Sequence, residues 1–271
     1  MTRITQISDT HLSRRKPHFV ANWNALVGWI KEQRPSLIVH SGDVTVDGAD
    51  DEDDLSYCAE ILTGIDAPML VVPGNHDVGE PKHPYQPVGG QRLERWRRHF
   101  GPDRWVHDLP NWRLIGFNSM ILGSELADEE GQYRFVEESM ATAGGRRVAW
   151  FCHQPLFING FDDGDNGYWS AKPDPRSRYR ALTQRFDVAL VASGHIHRSR
   201  DMVVDGIQFV WCPSTAFVVG PDLQPPLPGE QTLGAVTYDF GSRDVQFQRL
   251  ALPSLAHSWI DDVVDEVYPP R

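Results

Sequence analysis

Short runs of apolar residues, bounded by Gly, Pro, Asp or Asn, recur along the chain and predict β-strands. The predicted strands are Arg3–Ser8, Ser36–Ser41, Met69–Pro73, Trp112–Ser119, Arg147–Cys152, Asp187–Ser193, Ile207–Cys212, Gly234–Phe240 and Val245–Leu250. Between the first two, Phe19–Gln33 places its apolar side chains at helical spacing, and Pro17 suits the first turn of that helix. Further helices are predicted near Leu55–Leu62, Gln91–His99 and Ser177–Gln184.

The order of these elements predicts the fold class. Buried strands alternate with helices up to about residue 75, which is typical of an α/β fold with partly parallel pairing. The C-terminal third is rich in strands, which indicates a second sheet packed on the first. We predict a single domain over residues 1–250, followed by a tail over 251–271 whose apolar positions suit a docked helix or a subunit contact.

Five short polar blocks lie at or just past the ends of predicted strands. They are Asp9-Thr10-His11, Gly42-Asp43, Gly74-Asn75-His76-Asp77, His153-Gln154-Pro155 and Gly194-His195-Ile196-His197. Ligand sites of α/β proteins form at the carboxyl edge of the sheet, and imidazole together with carboxylate is a donor set for transition metals. Seven candidate ligands suit two four-coordinate metals that share one bridging carboxylate: Asp9, His11, Asp43, Asn75, His153, His195 and His197.

The third block also contains an imidazole that this count leaves free. His76 is a candidate proton donor to the leaving group, because a two-metal site needs such a group beside the metals. Asp77 follows it directly and is predicted to hold the tautomer of His76, as carboxylates commonly do for catalytic histidines.

The blocks, in this order, resemble the signature of the calcineurin-like metallophosphoesterase superfamily: D-x-H, G-D, G-N-H-D/E, H and G-H-x-H. The match spans residues 9 to 197. Pro213–Ala216 is also similar to the branch that contains bacterial class III cyclic-nucleotide and glycerophosphodiester phosphodiesterases. The resemblance implies a four-layer α/β/β/α sandwich with two mixed sheets and a metal site at the carboxyl edges of the strands.

The resemblance also implies how the ligands are shared. One metal would bind Asp9, His11, Asp43 and His197, and the second would bind Asp43, Asn75, His153 and His195. The usual metals of the superfamily are Fe, Mn or Zn in mixed pairs, with a metal-bound hydroxide as the nucleophile. The expected reaction is hydrolysis of a small phosphodiester, with His76 as proton donor.

Departures from other branches and the overall charge narrow the class of substrate. The second block lacks the Arg of the protein Ser/Thr phosphatases, and Val46 stands where purple acid phosphatases place a metal-binding Tyr. A net charge of −11 argues against polymeric nucleic acid as a partner. The start of the chain has no secretory signal, no apolar run suits a membrane span, and three scattered cysteines suit reduced thiols, so we expect a cytoplasmic protein.

Some assignments stay open at this point. Tyr168 and Trp169 lie in the long irregular segment Phe157–Lys172 and are candidate substrate contacts, as is Arg198, which follows His197. A phosphomonoesterase with the same mechanism is an alternative, and so is a non-catalytic metal-binding scaffold, although the full set of ligands argues against a scaffold. The sequence does not decide whether the chain forms a homo-oligomer.

Overall fold

Two mixed β-sheets, each covered by helices on its outer face, make up the protein in a computed structural model that describes residues 2–269. The strands are β1 (Thr2–Ile7), β2 (Leu37–His40), β3 (Met69–Val71), β4 (Trp105–Asp108), β5 (Trp112–Gly116), β6 (Arg147–Phe151), β7 (Val188–Ser193), β8 (Arg200–Val204), β9 (Ile207–Trp211), β10 (Gly234–Phe240) and β11 (Val245–Ala251). The helices are α1 (Val20–Gln33), α2 (Glu52–Leu62), α3 (Asn75–Val78), α4 (Gly90–Phe100), α5 (Ala127–Ala141), α6 (Pro173–Arg185) and α7 (Val264–Val267).

The first sheet has the order β11-β10-β1-β2-β3. Strand β1 pairs in parallel with β2, with Ile4 opposite Leu37, and β2 pairs in parallel with β3. Strands β10 and β11 add to the other side in antiparallel fashion. Because β1, β2 and β3 run the same way, the loops that follow them leave the sheet at one edge.

The second sheet has the order β4-β5-β6-β7-β9-β8. Its four central strands β5, β6, β7 and β9 are parallel to one another, whereas β4 and β8 are antiparallel edge strands. The loops after β6 and β7 therefore also leave at a common edge.

Three apolar cores separate the four layers. The core between the sheets draws side chains from both of them, including Ile4, Val39, Val236, Tyr238, Leu114, Phe151 and Leu190. A second core packs α1, α2 and α4 on the first sheet, and a third packs α5 and α6 on the second. This arrangement confirms the predicted α/β/β/α sandwich with two mixed sheets.

All nine predicted strands are present, and the four predicted helices are present with shifted ends. Helix α6 begins at Pro173, four residues before the predicted start, because Pro173 and Pro175 fit a first helical turn. Strands β4 and β8 and helices α3 and α5 were not predicted. The predicted tail lies against its own chain as a single 3-10 turn, Ile260–Asp262, and the short helix α7. Within residues 2–269, no helix combines the length and apolar character needed to cross a bilayer.

Candidate metal centre

The predicted ligands come together where the carboxyl edges of the two sheets meet. Asp9 and His11 follow β1, and Asp43 follows β2. Asn75 is the first residue of α3, directly after the β3 loop. From the second sheet, His153 follows β6, and His195 and His197 follow β7. None of these seven side chains belongs to a residue more than 7% exposed.

The backbone around the ligands is tightly turned. Five of the seven ligands have positive φ, from 43° at His11 to 68° at His195, which is the left-handed region that non-glycine residues rarely adopt. Because the neighbouring glycines have no side chain, their loops can approach the carboxylates closely. A Cβ at Gly74 would overlap the Asp43 carboxylate, and a Cβ at Gly194 would lie 2.7 Å from Asp9 Oδ2. These loops therefore pack directly on the carboxylates.

Asp9, His11 and His197 form the first group of donors. His197 Nε2 lies 3.3 Å from Asp9 Oδ1 and 3.3 Å from His11 Nε2. Asp43 Oδ2 lies 3.8 Å from His11 Nε2 and so faces this group. These four side chains are the set that the resemblance implies for one metal.

Asp43, His153 and His195 form the second group, with Asn75 beside them. His153 Nε2 lies 3.2 Å from Asp43 Oδ2, 3.1 Å from Asn75 Oδ1 and 3.2 Å from His195 Nδ1. The amide nitrogen of Asn75 donates to the hydroxyl of Tyr168 at 3.1 Å, which turns the amide oxygen toward the group. Asp43 faces both groups, as a bridging carboxylate requires.

Hydrogen bonds at the outer nitrogen of each candidate histidine ligand fix which ring nitrogen faces the cluster. The pairs are His153 Nδ1 with Ser41 O (2.8 Å), His197 Nδ1 with Phe217 O (2.8 Å), His195 Nε2 with Tyr168 O (2.9 Å) and His11 Nδ1 with Tyr268 Oη (2.7 Å). A carbonyl can only accept, so the outer nitrogen of each of the first three histidines carries the proton. In their neutral form, these rings present the inner nitrogen as a lone-pair donor to a metal.

The resulting cluster brings acceptor atoms face to face, among them Asp9 Oδ1, Asp43 Oδ2 and the inner histidine nitrogens. Asp9 Oδ1 is buried and has no hydrogen-bond partner within the described part of the chain, although His197 Nε2 faces it. A buried carboxylate oxygen without a partner is costly, and a cation between the acceptors removes that cost. The negative charge of the two carboxylates also acts on His153. Burial lowers the pKa of His153, but the nearby Asp43 and Asp9 carboxylates together raise it to about 9. The residues present therefore fit a divalent metal centre.

His76 lies beside the two groups. Its ring is 4.9 Å from that of His11, and its backbone N–H donates to Asp43 Oδ1 at 2.9 Å. The prediction that Asp77 holds the tautomer of His76 is wrong, because His76 Nδ1 lies 3.0 Å from the carbonyl of Val46 and donates to it. The Asp77 carboxylate accepts instead from the N–H groups of Val44, Thr45 and Gly74 and from the Thr45 hydroxyl. Asp77 thus ties together the loops that carry Asp43 and Asn75.

The three candidate substrate contacts have different positions. Tyr168 is 37% exposed, and its ring lies 4.6 Å from that of His195, at the mouth of the site. Trp169 lies farther out, with its ring 6.2 Å from that of His195. Arg198 does not reach the cluster: its guanidinium donates to Gln224 Oε1 and to the carbonyl of Gly229. The prediction for Arg198 is therefore corrected, because the proline-rich loop 220–232 takes up its donors.

Two contributors to the site were missed. Tyr268, in the C-terminal tail, contacts His11 and His76. Ser214 donates to the carbonyl of Asp9 at 3.0 Å and so holds the first ligand loop. The similarity of Pro213–Ala216 to one branch of the superfamily was a signal for Ser214, whereas no local pattern marks Tyr268.

Comparison with curated proteins gives two kinds of relative. The protein named "probable glycerophosphodiester phosphodiesterase GpdQ" from Arcobacter nitrofigilis is 26% identical over 241 residues, covering 82% of this chain and 81% of the relative. The human protein named "serine/threonine-protein phosphatase CPPED1" is 24% identical over 152 residues, covering 51% of this chain and 45% of the relative.

Solved structures show the same fold at low identity. A dimetal phosphatase from Danio rerio has a TM-score of 0.58 at 14% identity, covering 88% of this chain and 92% of that one. A purple acid phosphatase from yellow lupin has a TM-score of 0.63 at 14% identity, covering 92% of this chain and 51% of that one. The family model for calcineurin-like phosphoesterases matches residues 2–199. The chain therefore belongs to the calcineurin-like phosphoesterase family.

Proposed function

We propose that the protein is a two-metal phosphodiesterase that acts on small phosphodiesters. The observation that carries this proposal is the buried cluster of facing acceptors, in which Asp43 is shared between two groups of donors and Asp9 Oδ1 has no partner within residues 2–269. One metal would be held by Asp9, His11, Asp43 and His197. The other would be held by Asp43, Asn75, His153 and His195. Iron, manganese and zinc all suit these nitrogen and oxygen donors.

The chain's own residues supply the remaining parts of the reaction. When bound, the two cations lower the pKa of a water molecule and neutralise the phosphoryl oxygens. His76 uses Nδ1 to donate to Val46 O, so in the protonated ring Nε2 carries the second proton, which it can transfer to the leaving alkoxide to leave a neutral imidazole. His76 also lines a cavity of 360 Å³ together with Tyr85, Gln86 and Lys16, which we assign to the leaving group.

Two observations favour a diester over a monoester. The relative named as a glycerophosphodiester phosphodiesterase aligns over 82% of this chain, whereas the human CPPED1 alignment covers 51%. Arg198 donates to the proline-rich loop, which removes a positive contact that the second negative charge of a monoester would favour. The net charge of −11 favours a small substrate over polymeric nucleic acid. A phosphomonoesterase is the second candidate, because the CPPED1 relatives are named as phosphatases.

The first test measures metals and substrate class. Purified protein reconstituted with Mn²⁺, Zn²⁺ or Fe²⁺ is expected to bind two ions and to hydrolyse bis(p-nitrophenyl) phosphate faster than p-nitrophenyl phosphate. Asp43→Asn should lose both ions together, because its carboxylate faces both groups. Loss of a single ion would contradict the shared role of Asp43. Faster turnover of the monoester would favour the second candidate, and no turnover of either ester would overturn the proposal.

The second test concerns His76. His76→Ala should bind both metals but lose about 10²–10⁴-fold in kcat on alkyl diesters, whose leaving groups need a proton, and far less on p-nitrophenyl esters. His107→Ala, on the edge strand β4, is the matched control and should behave like the wild type. Equal losses on both kinds of leaving group would show that His76 is not the proton donor.

A further inference from the structure

Three contacts hold the C-terminal tail next to the candidate metal centre. Val267 is fully buried, in an apolar cluster with Phe19 and Phe217. Lys16 Nζ donates to the carbonyl of Val267 at 2.6 Å. His18 Nε2 lies 3.1 Å from the Glu266 carboxylate. Together these contacts hold the segment from Val264 to Tyr268 against the N-terminal loop that follows β1.

Tyr268, the residue after α7, reaches two residues of the site. Its hydroxyl lies 2.7 Å from His11 Nδ1. Its ring lies 4.6 Å from the ring of His76, at an angle of 39°. His11 Nε2 is turned toward His197 and Asp43, so with a metal bound at Nε2 the proton would be on Nδ1, which would donate to the tyrosine hydroxyl.

His11 differs from the other candidate histidine ligands in how its outer nitrogen is held. Backbone carbonyls accept from His153, His195 and His197, so those rings are oriented by the fold of the two sheets and their loops. In the described part of the chain, the partner of His11 is a side chain 257 positions away. The backbone of His11 also lies in the left-handed region, with φ 43°, which adds local strain.

We propose that Tyr268 is a positioning residue of the metal centre, and that the C-terminal tail thereby completes the site built by Asp9, His11 and His197. This proposal rests on the proposed metal site. The tyrosine hydroxyl fixes the rotation of the His11 ring, while its aromatic ring limits the movement of His76. Loss of a hydrogen bond to the outer nitrogen of a ligating histidine typically weakens metal binding by about 10–100-fold.

The test titrates metal-free protein with Mn²⁺ by calorimetry, without any phosphoester. Wild type is expected to show two binding events. Tyr268→Phe keeps the ring but removes the hydroxyl, and should weaken one event by about tenfold or more while the other stays unchanged. The matched control is Tyr133→Phe, a tyrosine that packs on Tyr179 and Arg178 in the outer helices of the second sheet, and it should bind like the wild type.

A second variant separates the tail from the tyrosine itself. Val267→Asp places a carboxylate in the apolar seat of the tail, so it should weaken the same binding event as Tyr268→Phe although Tyr268 is intact. Unchanged Mn²⁺ affinity in Tyr268→Phe would overturn the positioning role, as would equal weakening of both events. A wild type that binds no Mn²⁺, Zn²⁺ or Fe²⁺ would instead overturn the proposed function, so the two failures are distinguishable.

Discussion

Gly74 packs directly on Asp43, so replacing it with alanine perturbs the metal centre without changing any ligand. An added Cβ would overlap Asp43 Oδ1 and the Asp43 backbone nitrogen, and would lie 2.8 Å from the Asp43 carboxyl carbon. Ordinary contacts of this kind are 3.4–4 Å. The φ of Gly74 is −107°, a value open to alanine, so the effect is one of space and not of backbone conformation.

The size of the displacement sets the expected result. To reach 3.4 Å from 2.8 Å, the Asp43 carboxyl carbon has to move by about 0.6 Å, and Oδ1, which lies closer to the added Cβ, by more; both exceed the tolerance of about 0.5 Å for a preorganised site. Asp43 faces both groups of donors, so we expect Gly74→Ala to weaken both Mn²⁺ binding events. Overpacking of this kind costs about 1–3 kcal/mol of folding free energy. The metal-free variant should therefore also unfold at a lower urea concentration than the metal-free wild type.

Two measurements check this prediction: calorimetric titration with Mn²⁺, and urea unfolding in EDTA. The matched control is Gly28→Ala in the middle of α1, where an added Cβ meets nothing within 4 Å. That substitution should stabilise the protein by about 0.5–1 kcal/mol and leave metal binding unchanged. Wild-type affinity for both ions in Gly74→Ala would refute the inference that the loops fix the position of Asp43.

Three further predictions follow from the same structure. Arg198→Ala should make the loop 220–232 more sensitive to proteolysis, because Arg198 bonds to Gln224 and Gly229, while kcat/KM on a small diester stays at the wild-type value. The three cysteines are buried, and burial raises their pKa values, so none should react with a thiol reagent until the protein is unfolded. Removing metal with EDTA should lower the Tm, since an ion at 100-fold its Kd contributes about 2.7 kcal/mol, and each kcal/mol shifts the Tm by roughly 2–4 °C. An unchanged Tm would argue against tight metal binding.

The fold was predictable where buried elements give a clear pattern of apolar residues in the sequence. The central strands are apolar because both of their faces are covered, and all of them were predicted. Strands β4 and β8 are edge strands in which exposed and part-buried residues alternate, so their apolar signal is weak. Helix α5 was missed because its buried face includes Gln132 and Ser139 beside Val136 and Met140. Its acidic first turn, Asp128–Glu130, was a signal that went unused.

The site was predictable for residues whose position follows from the strand that precedes them. A residue just past the end of a parallel strand must lie at the sheet edge, whatever the rest of the chain does. Side-chain direction is not fixed in this way. Asp77 turns toward Thr45, and Arg198 turns toward Gln224, because these partners are supplied by loops that are distant in the sequence. Tyr268 was not predicted for the same reason, since its partner His11 lies near the other end of the chain.

The backbone at the cluster adopts conformations that the surrounding fold has to stabilise. Five ligands hold left-handed φ values, each of which costs on the order of 1 kcal/mol, and two buried carboxylates lie within 4.0 Å of the same His11 nitrogen. The N–H groups of His195 and His76 offset part of the carboxylate cost by donating to Asp9 and Asp43, and the cores on both sides of each sheet offset the rest. Cations relieve the electrostatic part of the cost but leave the backbone part. The ligand loops are therefore held by the packing of the fold, and small displacements such as that caused by Gly74→Ala should be costly.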